Sequence, residues 1–172
     1  MECMRQVRKA GFTLVELLVV MAIIGIIALV SVANFRNSQI KARDVQRKSD
    51  IKQLANAVEL YFNDYGIYPL AANGKVVGCG SPGFSSACDW GLGDFQDTDG
   101  TVYMKKVPTD PTPAKSQYLY AVSTNGDKYQ IFTTLENQDD KTIVSGISQQ
   151  CGTVSCNFGV SSANVTLTDT LN

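Results

Sequence analysis

The 172-residue chain contains no histidine. The commonest general base and the commonest metal ligand are both missing, which argues against an enzyme. No Gly-x-Ser-x-Gly elbow, phosphate loop or convergent acid–base set appears either, and Ser85, Ser86 and the other hydroxyls have no histidine beside which to act. A charge excess is lacking too. Fifteen Lys and Arg against sixteen Asp and Glu leave a net charge of −1, whereas a general nucleic-acid binder is usually basic. Two local absences are as telling: Leu17 to Phe35 holds no charge, and Arg36 to Asp64 holds neither glycine nor proline.

What is present is unevenly spread. The length supports one compact domain beside an apolar N-terminal stretch. Met1 to Gly11 is polar, with Arg5, Arg8 and Lys9 set against Glu2, and from Phe12 to Phe35 the one charge is Glu16. Leu17 to Phe35, coiled as a helix, would reach about 28 Å, close to the hydrocarbon thickness of a bilayer. Val30-Ser31-Val32-Ala33 can be read as a signal-peptide cleavage site, but the apolar run is long for a signal core and Glu16 sits just inside its start. A carboxylate there costs about 2.5–3.5 kcal/mol on insertion scales. It needs a partner, and none stands out nearby on the same helix.

Lys9-Ala10-Gly11-Phe12-Thr13-Leu14-Val15-Glu16 resembles the cleavage motif of type IV pilins and type II secretion pseudopilins: a basic leader ending in Gly, then Phe-Thr-Leu-Xaa-Glu and an apolar helix. The resemblance implies a leader over 1–11, cut between Gly11 and Phe12 by a prepilin peptidase that methylates the new amine of Phe12. It implies a transmembrane and filament-core helix over 12–35, with Glu16 meeting the free amine of a neighbouring subunit. The precursor would be a single-pass inner-membrane protein with a cytoplasmic N-terminus, held in lipid before assembly. Its partners would be copies of itself in a helical filament, extracellular or periplasmic, and an assembly platform with its ATPase. Charge flanking the span does not orient it, since Arg36, Lys41, Arg43, Arg47, Lys48 and Lys52 follow it. The cut would also remove Cys3. Cys79, Cys88, Cys151 and Cys156 then form an even set, which fits two local bridges, Cys79–Cys88 and Cys151–Cys156, in an oxidising compartment.

Beyond the anchor, Ile51, Leu54, Val58 and Phe62 recur at helical spacing, with Ala55, Tyr61 and Tyr65 widening the stripe. An amphipathic half over 36–65 is expected, with Asp44 and Lys48 as an i,i+4 pair, Gly66 as the stop and Pro69 forbidding continuation. The head, 66–172, is expected to open with a glycine-rich loop over 66–116. A small antiparallel sheet of about three strands follows over 117–147: Tyr118 to Val122, a turn at Thr124-Asn125-Gly126-Asp127, Lys128 to Leu135, and Lys141 to Ile147. The cysteine-bearing segment 148–172 ends in an edge strand near Val165 and Leu167 or a loose tail. The expected fold is α+β and pilin-like, one long N-terminal helix packed on that sheet. The order Gly66-Ile67-Tyr68-Pro69, Pro108-Thr109-Asp110-Pro111, Tyr118-Leu119-Tyr120 and Leu135-Glu136-Asn137 also resembles that of major pseudopilins.

Other chemistry is weaker. The cysteine spacings are mostly wider than zinc knuckles, and disulfides are the preferred reading. Asp97-Thr98-Asp99-Gly100 begins like a calcium loop, but its twelfth position is Pro108. Type II pseudopilins often bind calcium after the main strands, where this chain has Glu136, Asn137, Asp139 and Asp140. A surface turn is preferred to a metal site there, and no other cofactor is implied. The basic stretch Arg43 to Lys52 reads as a solvated or subunit-facing patch ahead of a DNA site. The functional expectation is a type IV pilus subunit serving adhesion, motility or DNA uptake. The alternatives are a major-type pseudopilin of a type II secretion system and a membrane-anchored exported binding module that does not polymerise.

Overall fold

A computed structural model describes residues 11–80 and 85–171, with backbone alone for residues 29–34 inside the helix. The chain divides into two compact units, residues 1–39 and 40–172. One helix, α1, runs Leu14–Tyr65. It ends where expected: Gly66 takes φ +71°, a left-handed turn that glycine adopts at no steric cost, and its N–H reaches back to the Phe62 carbonyl at 2.7 Å.

Among the described residues of the second unit ten short strands follow: β1 Ala71–Ala72, β2 Lys75–Cys79, β3 Ser86–Ala87, β4 Phe95–Gln96, β5 Val102–Met104, β6 Leu119–Val122, β7 Tyr129–Thr133, β8 Gln150–Cys151, β9 Val154–Ser155 and β10 Phe158–Ser161. The expected loop over 66–116 thus carries strand pairing, as a β1-β2-β3 sheet and a β4–β5 hairpin. The principal sheet is antiparallel in the order β10-β7-β6. Its third strand is β10, not Lys141 to Ile147. That segment turns instead, because the Asp140 carboxylate accepts both the N–H and the hydroxyl of Thr142 and draws the chain into a bend. Val165 and Leu167 form no strand either. The tail is tied down by Gln130, whose amide donates to the carbonyls of Thr166 and Asp169.

All five residues of β7 are buried, so the sheet is covered on both faces. Tyr129 and Ile131 point toward the core formed with Ile51, Leu54, Ala57 and Val58 of α1. Phe132, on the opposite face, packs with Cys151, Cys156, Leu119, Ile147 and Leu167. An aromatic run extends the first core: Phe62 stacks on Tyr68 at 4.4 Å, and Tyr68 meets Tyr129 edge-on at 4.7 Å. Each such buried side chain contributes about 1.5–3 kcal/mol relative to exposure. Disulfides Cys79–Cys88 and Cys151–Cys156 close the cysteine-bearing segments, and the second sits inside the outer core.

Candidate assembly site

The start of α1 is built by its own sequence. Thr13 stands just before the helix, and its hydroxyl accepts the Glu16 N–H at 3.2 Å. The Glu16 carboxylate returns to accept the Thr13 N–H and hydroxyl, each at 2.8 Å. This reciprocal Thr-x-x-Glu arrangement satisfies amides that the first helical turn cannot satisfy internally. It also corrects the sequence reading, which found no nearby partner for Glu16: Thr13 is that partner. The signal in the sequence is the Thr-x-x-Glu spacing, which an opposite-charge criterion does not detect because a hydroxyl carries no charge. Glu16 is thereby held at the positive end of the helix, facing the segment that contains Gly11 and Phe12.

Around this carboxylate the helix is apolar and bare. Phe12 is 87% exposed, Leu14 80% and Met21 68%, and exposed Leu, Val and Ile side chains follow to Ile27 on every side. Water does not support so continuous an apolar surface, which marks a face covered by lipid or by other protein. Among the described residues no helix is long and apolar enough to cross a membrane. The side chains of residues 29–34, within the expected span, lie outside the described set.

The second unit holds a different charged cluster. Arg47 is fully buried. Its guanidinium donates to Asp110 at 2.8 and 3.0 Å, to Asp44 at 2.8 Å, to Glu136 at 2.8 Å and to the Thr112 hydroxyl at 2.8 Å. Arg43 adds a two-pronged pair to Glu136 at 2.7 and 2.6 Å. Asp44 accepts the backbone N–H groups of Glu136 and Asn137. The Asp44–Lys48 pair expected from spacing does not form: Asp44 serves Arg47 and the loop, while Lys48 reaches Asp140 at 2.6 Å. Hydrogen bonds from Arg43, ahead of those from Arg47, hold the Glu136 carboxyl down at about 2 despite its partial burial. The Lys48 ammonium and then the Thr142 groups hold Asp140 well below the usual carboxylate range.

These contacts rearrange the roles assigned from sequence. Three cations of the basic stretch, Arg43, Arg47 and Lys48, are tied to carboxylates of the head, leaving Lys41 and Lys52 exposed on α1. Asp97 folds its own turn: one oxygen accepts the N–H groups of Asp99 and Thr101, the other the Tyr103 hydroxyl. Burial works to raise the Asp97 carboxyl, but hydrogen bonds from Thr101, Tyr103 and Tyr65 outweigh it and hold it at about 2. As donors for calcium, Glu136 and Asp140 do not fit, because each of their oxygens already faces a cation or an N–H or O–H donor. Asp139 stays exposed, and among the described residues no three Asp, Glu or Cys side chains group as a metal site.

Comparison with known proteins agrees with the N-terminal geometry. The family model described as the prokaryotic N-terminal methylation motif matches residues 7–32. The chain is 34% identical over 124 residues to type II secretion system core protein G of Pseudomonas aeruginosa, spanning 72% of this chain and 81% of that protein. It is 32% identical over 126 residues to the core protein G of Vibrio cholerae, spanning 73% and 78%. It is also 38% identical over 66 residues to the type IV major pilin protein PilA of Myxococcus xanthus, spanning 38% of this chain and 30% of that protein. No solved structure matches the chain significantly.

Proposed function

Because the chain belongs to the family of type IV pilins and type II secretion pseudopilins, we propose that it is the major-type pseudopilin of a type II secretion filament. The family is structural, so the chain is a filament subunit and not an enzyme. What carries the secretion reading is the reach of the likeness. Core protein G of P. aeruginosa is matched over 81% of its length, beyond the motif and into the head, whereas the pilin match covers 66 residues. This reverses the order in which the sequence alone ranked the two filaments.

The proposed sequence of events is the one that membership of this family implies. The precursor lies in the inner membrane with its N-terminus cytoplasmic, and prepilin peptidase cuts between Gly11 and Phe12 and methylates the amine of Phe12. The bare apolar helix then leaves lipid by packing with copies of itself, driven by an assembly platform and its ATPase. Glu16, held at the helix start by Thr13, pairs with a neighbour's amine. A carboxylate that gains a cation only in the filament favours assembly by the difference between the two states.

A pilus subunit is the second reading, favoured by the match to PilA and by the stapled tail that covers the outer sheet face. The test is deletion of the gene in its native host, with complementation by wild type and by Glu16→Ala. Loss of exported enzyme activity without loss of sheared surface filaments supports the secretion filament. Loss of surface filaments with secretion intact overturns it in favour of the pilus. Full complementation by Glu16→Ala removes both and leaves an anchored module that does not polymerise.

A further inference from the structure

The loop after β7 is where the family resemblance implies calcium, and here its carboxylates belong to the helix. Asp140 uses one oxygen for the Lys48 ammonium and the other for the Thr142 N–H and hydroxyl. Glu136 gives one oxygen to Arg43 Nη2 and the other to Arg43 Nε and Arg47. The loop backbone is held as well, through the Glu136 and Asn137 N–H groups on Asp44. Calcium requires six to eight oxygens around one point and a surplus of negative charge. This site offers neither, because three cations of α1 stand among the oxygens.

We propose that Lys48, with Arg43 and Arg47, occupies the structural place of a divalent cation, so that this head folds and holds its loop without calcium. The position of Lys48 is fixed by more than one carboxylate. Its Nζ lies 5.4 Å from the ring centroid of Phe158 on β10, so one ammonium joins α1, the loop and the third strand of the principal sheet. A side-chain cation does so within the chain and does not depend on the ion content of the surroundings. The inference stands on the geometry of the head and holds for either filament.

Thermal unfolding of the full-length mature protein in detergent micelles, followed by the fluorescence of Trp90, the one tryptophan of the chain, tests it. The wild type is expected to melt at the same temperature in calcium chloride and in EDTA. Lys48→Met is expected to melt lower by about 2–4 °C, and Lys48→Arg to keep most of the wild-type value. A wild-type midpoint that falls by several degrees in EDTA overturns the proposal, as does Lys48→Met melting like wild type. Should Lys48→Met fail to fold, calorimetric titration of the wild type with calcium decides: stoichiometric uptake overturns the proposal, and no uptake upholds it.

Discussion

Arg47 of α1 and Asp110 of the segment before β6 form a two-pronged ion pair at 2.8 and 3.0 Å, with neither side chain exposed to solvent. Sixty-three positions separate them in the chain. The pair fixes the helix against the Pro108-Thr109-Asp110-Pro111 turn. Burial alone would disfavour a charged guanidinium, but the hydrogen bonds it donates to Asp110 and Glu136 more than offset it and raise the Arg47 pKa, so it stays charged.

Removing that cation leaves Asp44 and Asp110 buried without their counter-ion, beside a partly exposed Glu136 that Arg43 still holds. Arg47→Ala is expected to cost about 3–5 kcal/mol, the usual penalty for breaking a buried pair from one side. For a chain of this size the melting midpoint should fall by roughly 6–20 °C. Asp110→Asn should cost less, because the amide oxygen still accepts one N–H. Thermal unfolding of both variants checks the order.

Acid should loosen the same region. The folded Glu136 carboxyl is held at about 2 against an ordinary value of 4.5. Its contribution is therefore fully present above pH 4.5 and lost as the pH falls toward 2. Asp140, also lowered, acts with the same sign. Midpoints measured from about pH 5 to about pH 2 should decline, and Glu136→Gln should show a shallower decline from a lower start.

Thr13→Ala removes the hydroxyl that both caps α1 and donates to Glu16. Loss of such a cap costs roughly 0.5–2 kcal/mol locally. Faster amide exchange in the first helical turn and a lower yield of assembled filament are expected, with Thr13→Ser restoring both. Unchanged exchange would show that the cap is not formed in the mature chain.

The outer core depends on its staple. Opening Cys151–Cys156 by a double serine substitution should cost about 2 kcal/mol from loop entropy alone, since the closed loop is short. The cover over Phe132 should then exchange faster with solvent. Hydrogen exchange of β7 in the double variant, against wild type, reads this directly.

Gly159→Ala tests the placement of β10. An added Cβ would run into the Ile131 carbonyl oxygen and crowd Leu167. About 1–3 kcal/mol of destabilisation is expected, centred on the β10–β7 ladder. A variant that melts like wild type would mean that β10 does not lie where described.

The helix was legible because its signals are local. A period of 3.6, an interval free of glycine and proline, and the Gly66–Pro69 stop all lie within one segment. The turn at Asn125-Gly126 and the strands around it were legible for the same reason. The third strand was not. Lys141 to Ile147 has a strand-like composition, and what turns it aside is one carboxylate, Asp140, bending onto Thr142. Phe158 to Ser161 is interrupted by a glycine that weakens its pattern, yet that glycine lets it lie close against β7.

The sequence by itself determined the N-terminal methylation motif, the apolar stretch that follows it and the α+β character, since each rests on residue type and short spacing. Tertiary structure decided what the charges do. Arg43 to Lys52 has the composition of a solvated basic face, and no local pattern distinguishes such a face from one paired with residues about 90 positions away. Only the folding of the 136–142 loop onto α1 brings those carboxylates within reach. There the loss of hydration is made good by direct hydrogen bonds, and carboxylates that read as a surface turn, or more weakly as calcium ligands, become the counter-ions of the helix.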